Sequence, residues 1–197
     1  MRRTFALIIC VAAVALNMAA QAAAPASSTE WKLDAGHTNP QFSVKHLGIS
    51  YVHGSFRKIS GTVRYDPAEL ATTVIDVTID AASIDTGFEF RDKNLRSAYY
   101  LDVQKFPTIT FKSKRVEVGA EGRLKVIGDL TIKNVTREVV LDVDPISQPA
   151  RAPDGRMHVG TQASTTVMRR DFGVGNDDTV AVGNPVKITL DIDLFKA

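Results

Sequence analysis

The 197-residue sequence holds a single cysteine, Cys10, and it sits in the apolar N-terminal stretch. Everything downstream is without a thiol, which excludes disulfides, thiolate catalysis and cysteine-ligated metals there. Lipid attachment to Cys10 is disfavoured, because the bulky Ile8 and Ile9 stand where small residues are needed. Charge of one sign is also lacking: 24 basic residues face 22 acidic ones, and Arg2 and Arg3 alone account for the formal +2. A body so nearly neutral has no bulk field for nucleic acid or an anionic surface, so no nucleic-acid partner is expected. Long apolar runs are missing too. The one candidate, Phe5 to Leu16, is about a dozen residues where a spanning helix needs roughly 20, so no stable membrane anchor is expected.

That short run has a different reading. Arg2 and Arg3, the apolar stretch and then Ala20-Gln21-Ala22-Ala23-Ala24 give the three-part pattern of a secretory signal peptide. Residues 1–24 are therefore read as a cleaved signal, with cleavage near Ala22 or Ala24, and 25–197 as one domain.

From Trp31 onward period-two alternation in Val, Ile, Thr and Phe dominates, broken by Gly, Asp and Pro. Eight strands are predicted: Gln41 to Leu47, Val52 to Tyr65, Thr73 to Ile84, Thr108 to Val118, Arg123 to Lys133, Glu138 to Ile146, Met157 to Met168, and Val186 to Phe195. Turn residues such as Asp66-Pro67, Lys133-Asn134 and Asp154-Gly155 separate them, so the strands form consecutive antiparallel hairpins. Glu89 to Tyr99 lacks alternation and reads as a short helix capping one end. The fold class is all-β. Connected hairpins favour a barrel over a sandwich, although parity alone leaves both open.

Parity places Phe42, Val44 and His46 on one face with Ile75, Val77, Ile79, Ile109 and Phe111, and any bulge flips that phase. Val126, Leu130, Ile132, Val139, Leu141, Val143, Ile188, Leu190, Ile192 and Leu194 continue the apolar face on later strands. The opposite faces are polar, so the interior is apolar and the exterior wet, the inverse of an outer-membrane barrel.

Chemical motifs are sparse. His37, His46, His53 and His158 lack compact metal-ligand spacing, so no metal and no cofactor are expected. No nucleophile elbow is present, and Ser43, Ser55 and Ser97 have no catalytic context. Gly173-Val174-Gly175-Asn176-Asp177-Asp178 lacks the lysine of a phosphate loop and the terminal glutamate of a calcium loop, and reads as a polar connection. Asn134-Val135-Thr136 matches a glycosylation sequon, but a tight turn suffices to explain its asparagine. Arg91-Asp92, Arg96-Ser97 and Arg169-Arg170-Asp171 read either as charges fixing a helix to a rim or as ligand head-group recognition.

A set of short motifs nevertheless recurs in order along the chain. These are Trp31-Lys32-Leu33-Asp34 with His37, Phe42-Ser43-Val44-Lys45-His46, Gly54-Ser55-Phe56 with Gly61, and Ser83-Ile84-Asp85-Thr86. Arg91-Asp92 with Leu95 and Ser97, Phe106-Pro107-Thr108-Ile109-Thr110-Phe111 and Gly128-Asp129-Leu130-Thr131-Ile132 follow. Arg169-Arg170-Asp171-Phe172-Gly173 and Val186-Lys187-Ile188 complete the series. In this the chain resembles the YceI-like family of bacterial periplasmic lipid-binding proteins. It departs at His37-Thr38, where the family often has His-Ser, at Asn134, where glycine is common, and at the more polar Tyr99-Tyr100-Leu101.

The resemblance implies an eight-stranded antiparallel, lipocalin-like barrel, a periplasmic location, no enzymatic activity, and a polyisoprenoid or other long-chain lipid as partner. Parity and resemblance together place the lipid tail against Phe42, Val44, Phe56, Ile79, Ile84, Phe111, Leu130 and Ile132. Leu95, Tyr99, Met168 and Phe172 are candidates for the closed end, and His46, Arg91, Asp92 and Arg169 for the head group. Two other readings remain at this point: a lipid-modifying enzyme using His46 and Ser97, and an envelope interaction module with a filled interior. A homodimer is left open.

Overall fold

The computed structural model describes residues 30–175 and 181–196. The signal-like segment 1–24 and Asn176, Asp177 and Asp178 of the polar connection lie outside the described residues. Alternation becomes twelve strands and one helix: β1 (Glu30–Leu33), β2 (Asn39–His46), β3 (Ser50–Phe56), β4 (Ile59–Arg64), β5 (Val74–Asp80), β6 (Ile84–Asp85), α1 (Glu89–Arg96), β7 (Thr108–Val118), β8 (Leu124–Ile132), β9 (Val135–Val143), β10 (Ala150–Arg151), β11 (Met157–Met168) and β12 (Val182–Lys196).

Several of these are halves of one bent stave. β1 and β2 lie end to end along one edge of β12, with Leu33 opposite Leu194 and Asn39 opposite Asp191. β3 pairs with β2 and β6, while its continuation β4 pairs with β1 and β5. The break at Arg57 and Lys58 faces the break at Ala81–Ser83: the Arg57 N–H donates to the Ser83 carbonyl and the Lys58 N–H to Ser83 Oγ, each at 3.1 Å. Neighbouring staves therefore bend at the same level, which alternation read as unbroken strands could not reveal.

Counted by stave, the sheet is a closed eight-stranded antiparallel barrel. Closure comes from β11 and β12, paired from His158↔Phe195 to Met168↔Pro185. A closed wall with an open interior excludes the β-sandwich. A bulge between Ser113 and Arg115 switches the parity of β7, so Ile109, Phe111 and Val116 all face inward.

The two ends differ. At the first, Trp31, Val63, Tyr65, Val159 and Leu194 form a buried plug, with the Trp31 and Tyr65 rings 6.2 Å apart. Burial pushes the Tyr65 hydroxyl pKa up. At the second, the β2–β3 and β8–β9 hairpins, the excursion containing α1 and the connection from β11 to β12 converge. The helix is shorter than expected and ends at Arg96, where the Ser97 N–H bonds to the Asn94 carbonyl. Leu101 and Phe172 from the irregular segments at this end are buried in the main core.

Candidate ligand-binding cavity

The inward faces of the staves do not meet at the barrel axis. They leave a cavity of about 260 Å³ between them. An apolar void of roughly 150 Å³ already stays dry and accepts benzene, so this space suits an apolar ligand. Among the described residues lining it, Arg169 is the only charged one.

Two glycines help keep the space open. Gly54 sits directly across the β2–β3 pair from Phe42, and a Cβ built on it would lie 2.5 Å from that ring. A Cβ on Gly128 would lie 2.6 Å from the Phe111 ring and 2.5 Å from the Lys112 carbonyl. Each large ring therefore folds against a bare stretch of backbone on the wall. With any larger residue at either position, the ring would be driven toward the axis.

Of the expected tail contacts, Phe42, Val44, Phe56, Ile79, Ile84, Phe111, Leu130 and Ile132 all line the cavity. Leu95 of α1 lines it at the helix end, and Arg169 does so too. Six expected site residues do not. His46 ends β2 at the rim and is exposed, because β12 bulges between Val182 and Val186 and the hairpin runs past the closed wall. Met168 points outward at the end of β11 and is 41% exposed. Phe172 is buried in the core beside the cavity rather than on its surface. Tyr99 is exposed and packs edge-on against Tyr100 at 4.9 Å, and it is Tyr100 that faces the cavity.

Arg91 and Asp92 are occupied locally. The Arg91 guanidinium donates to the Thr86 hydroxyl and carbonyl at 2.7 and 2.9 Å, and the buried Asp92 carboxylate accepts from the Thr86 N–H at 2.9 Å. Together they clamp α1 to the end of β6. Arg169 is spent on the backbone as well: its Nε, Nη1 and Nη2 donate to the carbonyls of Gly183, Val174 and Val182 at 3.0, 2.8 and 2.8 Å. It ties the two flanks of the β11–β12 connection over the cavity. Tyr100, Leu101, Val174 and Val182 are lining residues that sequence reasoning missed. They lie in or beside segments without alternation, where parity offers no signal.

His46 and Ser97, the pair considered for catalysis, do not line the cavity. On the outer side of the barrel, Asp34, His158 and Asp193 each bring one donor atom within 4.8 Å of the others, the one such grouping among the described residues. His158 Nδ1 is 2.7 Å from Asp193 Oδ1, and its buried Nε2 has no hydrogen-bond partner. The bond from His37, at 3.2 Å, and the Gly36 N–H hold the Asp34 carboxyl below the ordinary carboxylate value, against the opposing effect of burial. Three sequence segments contribute to the group, so no spacing rule could have found it.

The YceI-like domain model matches residues 31–194, nearly the whole barrel. The chain belongs to the YceI-like family. A UPF0312 protein of Vibrio cholerae is 34% identical over 174 residues, covering 88% of this chain and 89% of that one. Among solved structures, Burkholderia cenocepacia BcnA superimposes with a TM-score of 0.75 at 25% identity, over 82% of this chain and 98% of that one. A polyisoprenoid binding domain from Saccharophagus degradans superimposes with a TM-score of 0.63 at 16% identity, over 85% and 98%, a likeness of fold.

Proposed function

We propose that this YceI-like protein is a periplasmic, non-enzymatic carrier that holds one long-chain polyisoprenoid, of quinone or polyprenol type, or a similar lipid. The observation that carries the reading is the barrel cavity of about 260 Å³ with an apolar wall and Arg169 as its one charged lining residue among the described residues. The structural neighbour from Saccharophagus degradans, described as a polyisoprenoid binding domain, supports the ligand class. The signal-like residues 1–24 support the location.

The energetics favour a long tail. Each buried CH₂-sized group contributes roughly 0.8 kcal/mol, so two isoprene units give about 8 kcal/mol gross, near what micromolar affinity requires. Ordering the chain consumes several kcal/mol, and a longer tail offsets that. The nitrogens of Arg169 are bonded to the connection, so the tail rather than the head group supplies most of the affinity.

Native mass spectrometry of the purified protein, followed by solvent extraction, tests the proposal. A stoichiometric isoprenoid is expected. Protein that carries no lipid and takes up neither added quinones nor polyprenols would overturn it.

A further inference from the structure

The large exposed apolar side chains are not spread evenly. Leu47, Ile49 and Tyr51 lie on the β2–β3 hairpin, Phe88 and Phe90 at the start of α1, and Tyr99 just beyond it. All belong to the helix end of the barrel. Ile49 is 83% and Phe90 75% exposed. Elsewhere the large exposed apolar residues are the valines Val74, Val118 and Val140, each on a different strand, and Met168 at the end of β11. Scattered single residues are ordinary on a surface, whereas bulky aromatics gathered at one end mark an interaction site.

Charge is also distributed unevenly. On the wall, Lys58, Lys112, Lys114 and Lys125 are each paired with an aspartate, at 3.6, 3.2, 2.7 and 2.7 Å, while the exposed Lys32 and Lys187 stand singly, away from any exposed aromatic cluster. At the helix end, Glu89, the acidic residue between Phe88 and Phe90, is paired with Arg96 at 3.3 Å, while Lys45, Lys93 and Lys105 are exposed and make no ion pair with the described residues. Lys45 stands 5.7 Å from the Tyr51 ring centre and Lys105 5.2 Å from that of Phe106, while Arg91 lies 5.7 Å from that of Phe88. Aromatic rings beside unneutralised cations suit the boundary between acyl chains and anionic head groups. A two-fold dimer through this end would set these cations against their own copies.

We propose that the helix end is a docking surface for an anionic lipid bilayer, with the hairpin tip and the start of α1 entering the head-group layer. The proposal rests on the lipid-carrier reading, since such a carrier must take its cargo from a membrane and return it. Leu95, Tyr100 and Arg169, which line the cavity, are at this same end. Docking therefore brings this end of the cavity to the bilayer.

The test is flotation of the purified protein with vesicles of phosphatidylglycerol and phosphatidylcholine in equal parts, against vesicles of phosphatidylcholine alone. The protein is expected to float with the anionic vesicles and to be released by high salt. Ile49→Glu and Phe90→Glu are expected to lower partitioning at least tenfold. Lys45→Gln and Lys105→Gln should each lower it about fivefold, and Val140→Glu on the wall should leave it unchanged. No association with either vesicle, equal partitioning of all variants, or a sedimentation-velocity dimer that the two glutamates dissociate would overturn the proposal. Polyprenol binding by the same variants, read by native mass spectrometry, separates the two readings. Retained binding without flotation defeats docking alone, and flotation without lipid binding defeats the carrier reading alone.

Discussion

Replacing Ala163 with phenylalanine should move stability and binding in opposite directions. Ala163 is central in β11, opposite Leu190 and Val143, buried, and lines the cavity. A phenyl ring placed there takes about the room of one isoprene unit. At roughly 0.8 kcal/mol per CH₂-sized group, that displaces about 4 kcal/mol of ligand burial, or about a thousandfold in Kd. The unliganded barrel gains contacts in a space of about 260 Å³, and cavity filling commonly contributes about 0.5–2 kcal/mol. Urea denaturation of lipid-free protein gives the stability, read as a midpoint shift at unchanged slope. Fluorescence of Trp31, the only tryptophan, gives the titration with a polyprenol. The reasoning is refuted if Ala163→Phe destabilises the barrel by the roughly 1–3 kcal/mol of an overpacked core while Kd stays unchanged. That outcome would mean a filled interior and a binding site elsewhere.

Other substitutions probe the wall, the connection and the acid response. Gly54→Ala should drive the Phe42 ring toward the axis, costing about 1–3 kcal/mol of stability and weakening polyprenol binding. Phe42→Leu in the same chain should restore most of both in the same titrations. Arg169→Met removes three bonds to backbone carbonyls and should cost about 4 kcal/mol, with faster hydrogen exchange at Val174 and Val182. A loss below about 1 kcal/mol would contradict the role given to this side chain. The folded-state pKa of Asp34 lies below the ordinary 3.8, so its stabilisation is full above that value and is lost as pH falls through the depressed one. Asp34→Asn should therefore flatten the acid limb of the stability curve, measured by thermal melts from pH 6 to pH 2.

How far the sequence could be read depended on periodicity. Strands with one apolar face repeat every two residues, so the eight staves and inward residues such as Val44, Ile79, Leu130 and Ile132 were legible. Staves bent at Arg57 and at Ala81–Ser83 looked continuous, because residues on both sides of each bend remain apolar. The β7 bulge reversed parity without leaving a mark in composition. Segments with no period carry no directional signal, so nothing in the sequence separates the exposed Tyr99 from Tyr100, which faces the cavity. Arg169 was legible as a residue of interest, but its partners are backbone carbonyls at positions 174, 182 and 183. Main-chain atoms of a folded connection carry no identity in the sequence. The same limit hid the meeting of Asp34, His158 and Asp193.

The account stands or falls on whether an apolar chain occupies the barrel, and a length series measures that directly. Lipid-free protein would be titrated with prenols of increasing unit number and one common head group. Affinity should rise steeply with each added unit while the chain still enters the cavity, and then level once the cavity is full. Affinity independent of chain length, or set by the head group alone, would contradict the account.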